Sequence, residues 1–355
     1  MASNTMHDYK LSKNLKRLVY ALAQPGGRMV GTDGHDEARA LLDAELEALG
    51  CEPYRGDGYD LPYHEDGLDF CNLVGVIPGR DRSKKPVLIG AHYDSVIPHP
   101  CADDNASAVA VALEVGRMLM LEPPERDTVI ALFDAEEPPY YLTEAMGSNR
   151  FYEDDMATQG VHAAVIMDMV GHDLQIPVSL IPVARRLPGL EKAGLPIPHL
   201  RQLLFMTGAE SHPELEDMLR ACDRPWRLPT IFVPNAAIGD MSDHGVFRRN
   251  GVPYLFLSCG RWQHYHEPSD TPDRLNYAKM ARIARYTESL VRSIGDRVLE
   301  PSDETISDTS QLEIASLKQS LGPFLPILLK RFRIERLEGR DDLDAFANAL
   351  LGLGL

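Results

Sequence analysis

Short runs of purely apolar residues alternate with longer amphipathic stretches along most of this 355-residue chain. A strand without polar residues has to be covered on both faces, unlike the alternating strands of a half-exposed sheet. Alternation of such strands with helices is typical of an α/β sheet flanked by helices. The sequence therefore predicts an α/β fold with strands in the apolar runs at residues 73–77, 87–91, 129–133, 164–167, 203–206 and 254–257.

Two segments interrupt this alternation. Gln175 to Pro198 is rich in proline, leucine and arginine, which is typical of an insertion in a loop. After Pro301, a polar linker precedes helical patterns at residues 312–321, 325–336 and 341–351. We therefore expect a main domain at residues 1–300 and a C-terminal helical extension at residues 301–355, which either caps that domain or serves as a dimer arm.

Charge and cysteine content narrow the classes of partner. The formal net charge of -17 disfavours nucleic acid and anionic membranes as partners. No apolar run reaches the length of a membrane span, and the polar N-terminus lacks the apolar core of a signal peptide. The five cysteines are scattered and odd in number, which suits a reducing compartment. These features predict a soluble, cytoplasmic protein.

Metal-binding types of side chain follow the ends of the predicted strands. Ligand sites of open α/β sheets lie outside the carboxyl ends of strands, so we expect these side chains to meet. Alone, each has a simpler role, such as a helix cap for Asp103, but their regular placement favours a shared site. Two histidines and three carboxylates suit a two-metal hydrolase, with the neighbouring Glu136 as general base. The candidate ligands are His92, Asp103, Glu137, Asp168 and His266.

The same residues lie in motifs that resemble the M28 zinc peptidases, a family that includes bacterial leucyl aminopeptidases. The resemblance covers residues 27–294 and leaves out the C-terminal extension. It implies a mixed, mostly parallel sheet and hydrolysis of an amide, most simply at a peptide N-terminus. The matching segments are His92-Tyr93-Asp94, Ala102 to Ser107, Glu136-Glu137, Asp168-Met169, Ser242 to Phe247 and His266 to Thr271.

The resemblance also implies a role for each site residue. One zinc ion would bind His92 and Asp168, the other Glu137 and His266, and Asp103 would bridge the two. Glu136 would act as general base on the water that the two ions share, and Asp94 would orient the His92 ring. Asp243 and His244 would support the site or the substrate. Two Zn²⁺ ions are the expected cofactors, and Co²⁺ or Mn²⁺ would suit the same ligands.

One loop departs from the pattern of the family. Pro138 to Met146 separates the glutamate pair from Gly147-Ser148, where many relatives have a shorter link. Tyr140 and Tyr141 in this loop are therefore candidates for the wall of a substrate pocket, with a peptide or small amide as the substrate. Near the other end of the site, His264 competes with His266 as a ligand, but only His266 begins the His-x-Pro-x-Asp-Thr motif.

Two other functions stay open at this point. A glutaminyl cyclase-like acyltransferase on the same fold would use a single zinc ion and would need fewer ligands than the sequence offers. A catalytically inactive binding protein would be favoured by a missing ligand or base, and neither is missing. A homo-oligomer formed through the C-terminal extension is a separate option.

Overall fold

The computed structural model describes residues 2–174, 200–222, 225, 227–299 and 307–351, and its centre is one nine-stranded sheet. Each apolar run that predicts a strand forms one. The strands that the sequence does not predict are β1 and β8, which are very short, and β2, whose residues alternate between buried and exposed positions. The strands are β1 (Glu52–Pro53), β2 (Asp60–Glu65), β3 (Leu68–Ile77), β4 (Val87–His92), β5 (Thr128–Phe133), β6 (Ala163–Met167), β7 (Leu204–Thr207), β8 (Thr230–Phe232) and β9 (Tyr254–Ser258).

The sheet is mixed, as predicted. Its strand order is β1-β3-β5-β4-β6-β9-β7-β8, and β2 pairs with β3. The central strands β5, β4, β6 and β9 are parallel, whereas β3 joins β5 and β7 joins β9 in antiparallel pairs. Because the four central strands run in the same direction, their carboxyl ends meet at one edge of the sheet.

Helices cover both faces of the sheet, and alternate residues of each strand point to opposite faces. Ile89 of β4 packs in a core with α1, α2, α3 and α9, while its neighbour Leu88 packs on the other side with Phe151 of α4 and Phe247 of α8. The helices are α1 (Ala2–Leu22), α2 (Asp33–Leu49), α3 (Ala108–Leu121), α4 (Gly147–Phe151), α5 (Ala157–Gln159), α6 (Pro213–Ala221), α7 (Asn235–Ile238), α8 (His244–Arg249), α9 (Tyr277–Gly295), α10 (Ser310–Leu321), α11 (Leu325–Phe332) and α12 (Arg340–Leu351).

The helices of the C-terminal extension pack against the β8 edge of the sheet. The Ser316 hydroxyl of α10 accepts a hydrogen bond from the Phe232 N–H, and the Ser320 hydroxyl donates to the Thr230 carbonyl. Leu317 and Leu321 of α10 share an apolar cluster with Ile231 of β8. Helix α10 therefore packs along this edge, and the division into domains at residue 300 and the role of the extension as a cap or a dimer arm stay predictions.

The predicted insertion from Gln175 to Pro198 lies outside the described residues. Among the helices that the structure describes, none has both the length and the apolar composition needed to cross a membrane.

Candidate metal centre

Two histidines and four carboxylates converge at the carboxyl edge of the four central strands. His92 is the last residue of β4, and its Nε2 atom lies 3.4 Å from Asp104 Oδ1, 3.6 Å from Asp168 Oδ1 and 3.9 Å from Glu136 Oε2. His266 follows β9, and its Nε2 atom lies 3.2 Å from Asp104 Oδ2 and 3.2 Å from Glu137 Oε2. The strand ends therefore bring together His92, Glu136, Glu137, Asp168 and His266, as the sequence predicts.

The structure corrects the prediction for the bridging carboxylate, which is placed at Asp104 and not at Asp103. The two oxygens of Asp104 face different histidines, Oδ1 towards His92 and Oδ2 towards His266. The Asp103 carboxylate points away and accepts hydrogen bonds from the Gly171 N–H at 2.6 Å and from His172 Nδ1 at 2.6 Å. Asp103 therefore links the turn to the loop after β6 and is not available as a bridge.

The local backbone explains why two neighbouring aspartates face different partners. Residues Ala102–Ser107 form a kinked turn before α3, in which Asp104 and Asn105 have non-helical backbone angles. Asp270 holds the start of this turn by accepting hydrogen bonds from the N–H groups of Asp103 and Asp104. The sequence identifies the acidic pair but gives no means of choosing between two adjacent residues of the same type. Asp270 belongs to the His-x-Pro-x-Asp-Thr motif, and no feature of the sequence predicts its contact with this turn.

The donor set fits a pair of divalent cations. Among the described residues, His92 Nε2, His266 Nε2, Asp168 Oδ1 and Glu137 Oε1 are buried without a hydrogen-bond partner. Buried polar atoms nearly always have a partner, so atoms that converge without one indicate a ligand site. Candidate ligand atoms of His92, Asp104 and Glu137 lie within 4.8 Å of one another, and so do those of His92, Glu136 and Asp168. Histidine nitrogens with carboxylate oxygens are the donors that zinc prefers when no thiolate is present.

The buried carboxylate of Asp94 contacts three of the site residues, His92, Glu136 and Glu137. Its Oδ1 atom lies 3.2 Å from His92 Nδ1, and its two oxygens accept hydrogen bonds from the N–H groups of Glu136 and Glu137, each at 3.1 Å. A proton on Nδ1 leaves the Nε2 lone pair of His92 free for a metal. Asp94 therefore acts as a positioning residue and does not face the open side of the site.

The buried carboxylates repel one another when no cation is bound. Burial raises the pKa of Glu136 well above its ordinary value, and the neighbouring Asp168 and Glu137 raise it further. Burial likewise raises the pKa of Glu137 to about 8. Burial alone would lower the pKa of His266, but the adjacent carboxylates of Asp104 and Glu137 outweigh this and raise it to about 10. Protons thus balance part of the negative charge, and a metal cation would take their place.

The residues predicted to contact substrate have different surroundings. Tyr141 is half-buried, its hydroxyl donates to the Asp240 carbonyl at 2.8 Å, and burial together with the negative charge of Glu136 raises its pKa. Tyr140 instead packs edge-on against Phe70 at 5.0 Å between ring centres, within a small apolar cluster. Tyr141 keeps its candidacy as a pocket wall, whereas the contacts of Tyr140 are those of a packing residue.

The two residues of the Ser-Asp-His motif are both buried. The His244 ring stacks on Phe256 at 4.2 Å, and its Nε2 atom lies 3.1 Å from Asn235 Oδ1, so it supports the turn at α7. Burial raises the pKa of Asp243 to about 7, and the negative charge of Asp168 acts in the same direction. Neither side chain is open to a substrate, so a supporting role stays the prediction for both.

Comparison with known proteins supports the pattern of motifs. The sequence model of the family described as Peptidase family M28 matches residues 72–291. The chain is 30% identical over 227 residues to the uncharacterized protein YfbL of Escherichia coli (strain K12), covering 56% of this chain and 63% of that protein. It is 26% identical over 231 residues to leucine aminopeptidase 1 of Coccidioides posadasii (strain C735), covering 61% of this chain and 53% of that protein. The match thus spans less than two thirds of either relative.

Solved structures share the fold. A leucine aminopeptidase precursor from Bacteroides thetaiotaomicron superposes with a TM-score of 0.59 at 18% identity, covering 81% of this chain and 97% of that one. A glutaminyl cyclase from the same organism superposes with a TM-score of 0.57 at 17% identity, covering 81% of this chain and 98% of that one. At such low identity these likenesses concern the fold alone.

Proposed function

Because the chain belongs to peptidase family M28, we propose that it is a two-zinc aminopeptidase that removes N-terminal residues from short peptides. The observation that carries this proposal is that Asp104 lies between two histidines, His92 on one side and His266 on the other. We call each histidine with its neighbouring carboxylates a half-site. A single ion would not require both halves. Cobalt or manganese are alternative metals for the same ligands.

In the proposed site, Asp104 would bridge the two ions. His92 and Asp168 would hold one ion, and Glu137 and His266 the other. Two ions bound here would lower the pKa of a water molecule and polarise the carbonyl of the scissile bond. This assignment replaces Asp103 with Asp104 and otherwise keeps the ligands that the sequence suggests.

Glu136 is proposed as the group that moves protons. Its carboxylate lies beside the His92 half-site, and its backbone N–H is held by Asp94. From this position it would take a proton from the attacking water and pass it to the amine that leaves.

The charge of the site suggests which N-terminal group the substrate carries. Glu136 is the carboxylate of the site that is not proposed as a metal ligand, and its negative charge suits a free, cationic α-amine better than an acylated one. We also propose a cytoplasmic location, because all five cysteines are free, as expected in a reducing compartment. The fold is shared with a glutaminyl cyclase, so cyclisation of N-terminal glutamine is the second candidate activity.

A hydrolysis panel tests the proposal. Aminoacyl anilides with free α-amines and the same compounds after N-acetylation would be assayed before chelation, after chelation and after zinc is returned. We expect metal-dependent cleavage of the free-amine set only. Cleavage of the acetylated set alone would move the function to deacylation, and inactivity towards both sets with cyclisation of a glutaminyl peptide would identify the second candidate.

A further inference from the structure

Among the described residues, Arg261 has no ion-pair partner although it lies close to this acidic site. It is exposed and belongs to the loop between β9 and His266. In the part of the chain that the structure describes, no carboxylate oxygen lies within 4.0 Å of its guanidinium nitrogens, whereas Arg248 and Arg249 both bind Asp240. The charge of Arg261 is therefore not neutralised by a described carboxylate and is available to a ligand.

The position of Arg261 is fixed by an aromatic stack. Its guanidinium lies over the Tyr265 ring at 4.9 Å from the ring centre, and Tyr265 in turn stacks on the His266 ring at 3.7 Å. The Tyr265 ring alone therefore separates Arg261 from His266, a proposed zinc ligand. A guanidinium that stacks through its face keeps its N–H groups free at its edge, where they can bind a carboxylate in a fork.

The stack also lies on the solvent side of the site. The side chain of His266 is 28% exposed, whereas His92 is fully buried and Glu137 is 4% exposed. The open side of the site is therefore the side of His266, where Tyr265 and Arg261 stack. A substrate would approach from this side, so the parts next to its scissile bond would lie near the guanidinium.

We propose that Arg261 binds a carboxylate of the substrate, so that peptides carrying one next to the scissile bond are preferred. This inference rests on the proposed peptidase function and adds a substrate class to it. The carboxylate has two sources, the side chain of an acidic N-terminal residue or the C-terminal carboxylate of a dipeptide. Both sources present a carboxylate to the guanidinium, and replacing that carboxylate with a neutral amide removes the negative charge in either case.

Two matched pairs of substrates separate these sources. Leucyl-glycine is compared with leucyl-glycine amide, and glutamyl anilide with glutaminyl anilide. A hydrogen bond to a charged group contributes about 1.5–3 kcal/mol, so the charged member of one pair should have a kcat/KM roughly tenfold higher or more. In Arg261→Gln this ratio should fall to about one, mainly through KM, and Arg261→Lys should keep part of it. Added salt should reduce the ratio in the unmodified protein.

Controls distinguish binding from a structural role. Arg336→Gln removes an exposed arginine of the C-terminal extension, 73% exposed in its side chain, and should leave both ratios unchanged. If Arg261 only held Tyr265 in place, Arg261→Gln would lower kcat/KM equally for all four substrates and the inference would be wrong. A ratio of one in both pairs for the unmodified protein, or a ratio that survives Arg261→Gln, would also overturn it.

A binding measurement keeps this test separate from that of the proposed function. Hydrolysis of leucyl anilide by the zinc-loaded protein reports on the aminopeptidase activity alone. Calorimetric titration of the dipeptide pair and of free glutamate and glutamine into Glu136→Gln protein reports on Arg261 without turnover. Tighter binding of the charged members, lost in the Glu136→Gln/Arg261→Gln double variant, supports the inference even if leucyl anilide is not cleaved. Equal binding refutes it.

Discussion

Asp103→Asn and Asp104→Asn alter neighbouring aspartates and should have different consequences. In Asp103→Asn, the amide keeps one acceptor oxygen for the two donors Gly171 and His172, which now lie 2.6 Å from the carboxylate. Losing one charge-assisted hydrogen bond should lower the free energy of unfolding by about 1.5–3 kcal/mol. Asp103 supports the turn that carries Asp104, so metal affinity should fall by about 10–100-fold, as for other supporting residues.

Asp104→Asn removes the carboxylate that faces both histidines. The substitution takes away one negative charge and leaves a single weak acceptor oxygen where two oxygens now face His92 and His266. Metal affinity should therefore fall by more than the factor of about 100 that bounds a supporting residue. At least one zinc ion should be lost on dialysis against metal-free buffer.

Metal analysis after dialysis, together with urea unfolding of the chelated proteins, measures both effects. After dialysis we expect two zinc ions per chain in the unmodified protein and one or fewer in Asp104→Asn. At saturating zinc, Asp103→Asn should hold close to two. A protein that loses its metal through Asp103→Asn and keeps both ions through Asp104→Asn would refute the assignment of the bridge.

Three further predictions concern other parts of the site and fold. Glu136→Gln should retain both metal ions but lose about 10²–10⁴-fold in kcat, as measured with leucyl anilide, and near-normal turnover would contradict its role. Arg28 is buried and donates to the carbonyls of Tyr93, Pro100 and Cys101. Arg28→Met should therefore lower the free energy of unfolding, measured in urea, by about 3–5 kcal/mol. A loss below about 1 kcal/mol would contradict a stabilising role for these hydrogen bonds. Burial lowers the pKa of His162 to about 4 from its ordinary value of 6.5. Between pH 6.5 and 4 the unfolded state therefore binds more protons and stability falls with falling pH, so His162→Gln should make this acid loss shallower in urea titrations at several pH values, and an unchanged slope would contradict it.

The parts of the fold that the sequence predicts are those with a strong periodic signal. The apolar runs of β4, β5, β6 and β9 are buried on both faces, so their composition alone identifies them. β2 carries an Asp, a Pro and a His and lies at the edge of the sheet, where packing imposes little on the sequence. Its pairing with β3 depends on contacts that composition does not record.

For the site, the sequence predicts which positions along the chain meet, but it does not predict the direction in which each side chain points. Strand ends predict which residues meet, because the carboxyl ends of parallel strands share an edge. They do not predict which of two consecutive side chains turns inward. For Asp103 and Asp104 that choice depends on the kinked turn at residues 102–107 and on Asp270, which is far away in sequence. Likewise, the contact of Tyr140 with Phe70 joins the loop after β5 to strand β3 and has no local signal.

A zinc titration of the chelated protein tests the central claim most directly. Hydrolysis of leucyl anilide and bound zinc would be measured on the same samples as zinc is added from zero to several equivalents. We predict that activity requires the metal, continues to rise until two ions are bound per chain, and is absent towards acetylated leucyl anilide. Full activity at one ion per chain, or equal activity without zinc, would contradict a two-metal site bridged by Asp104.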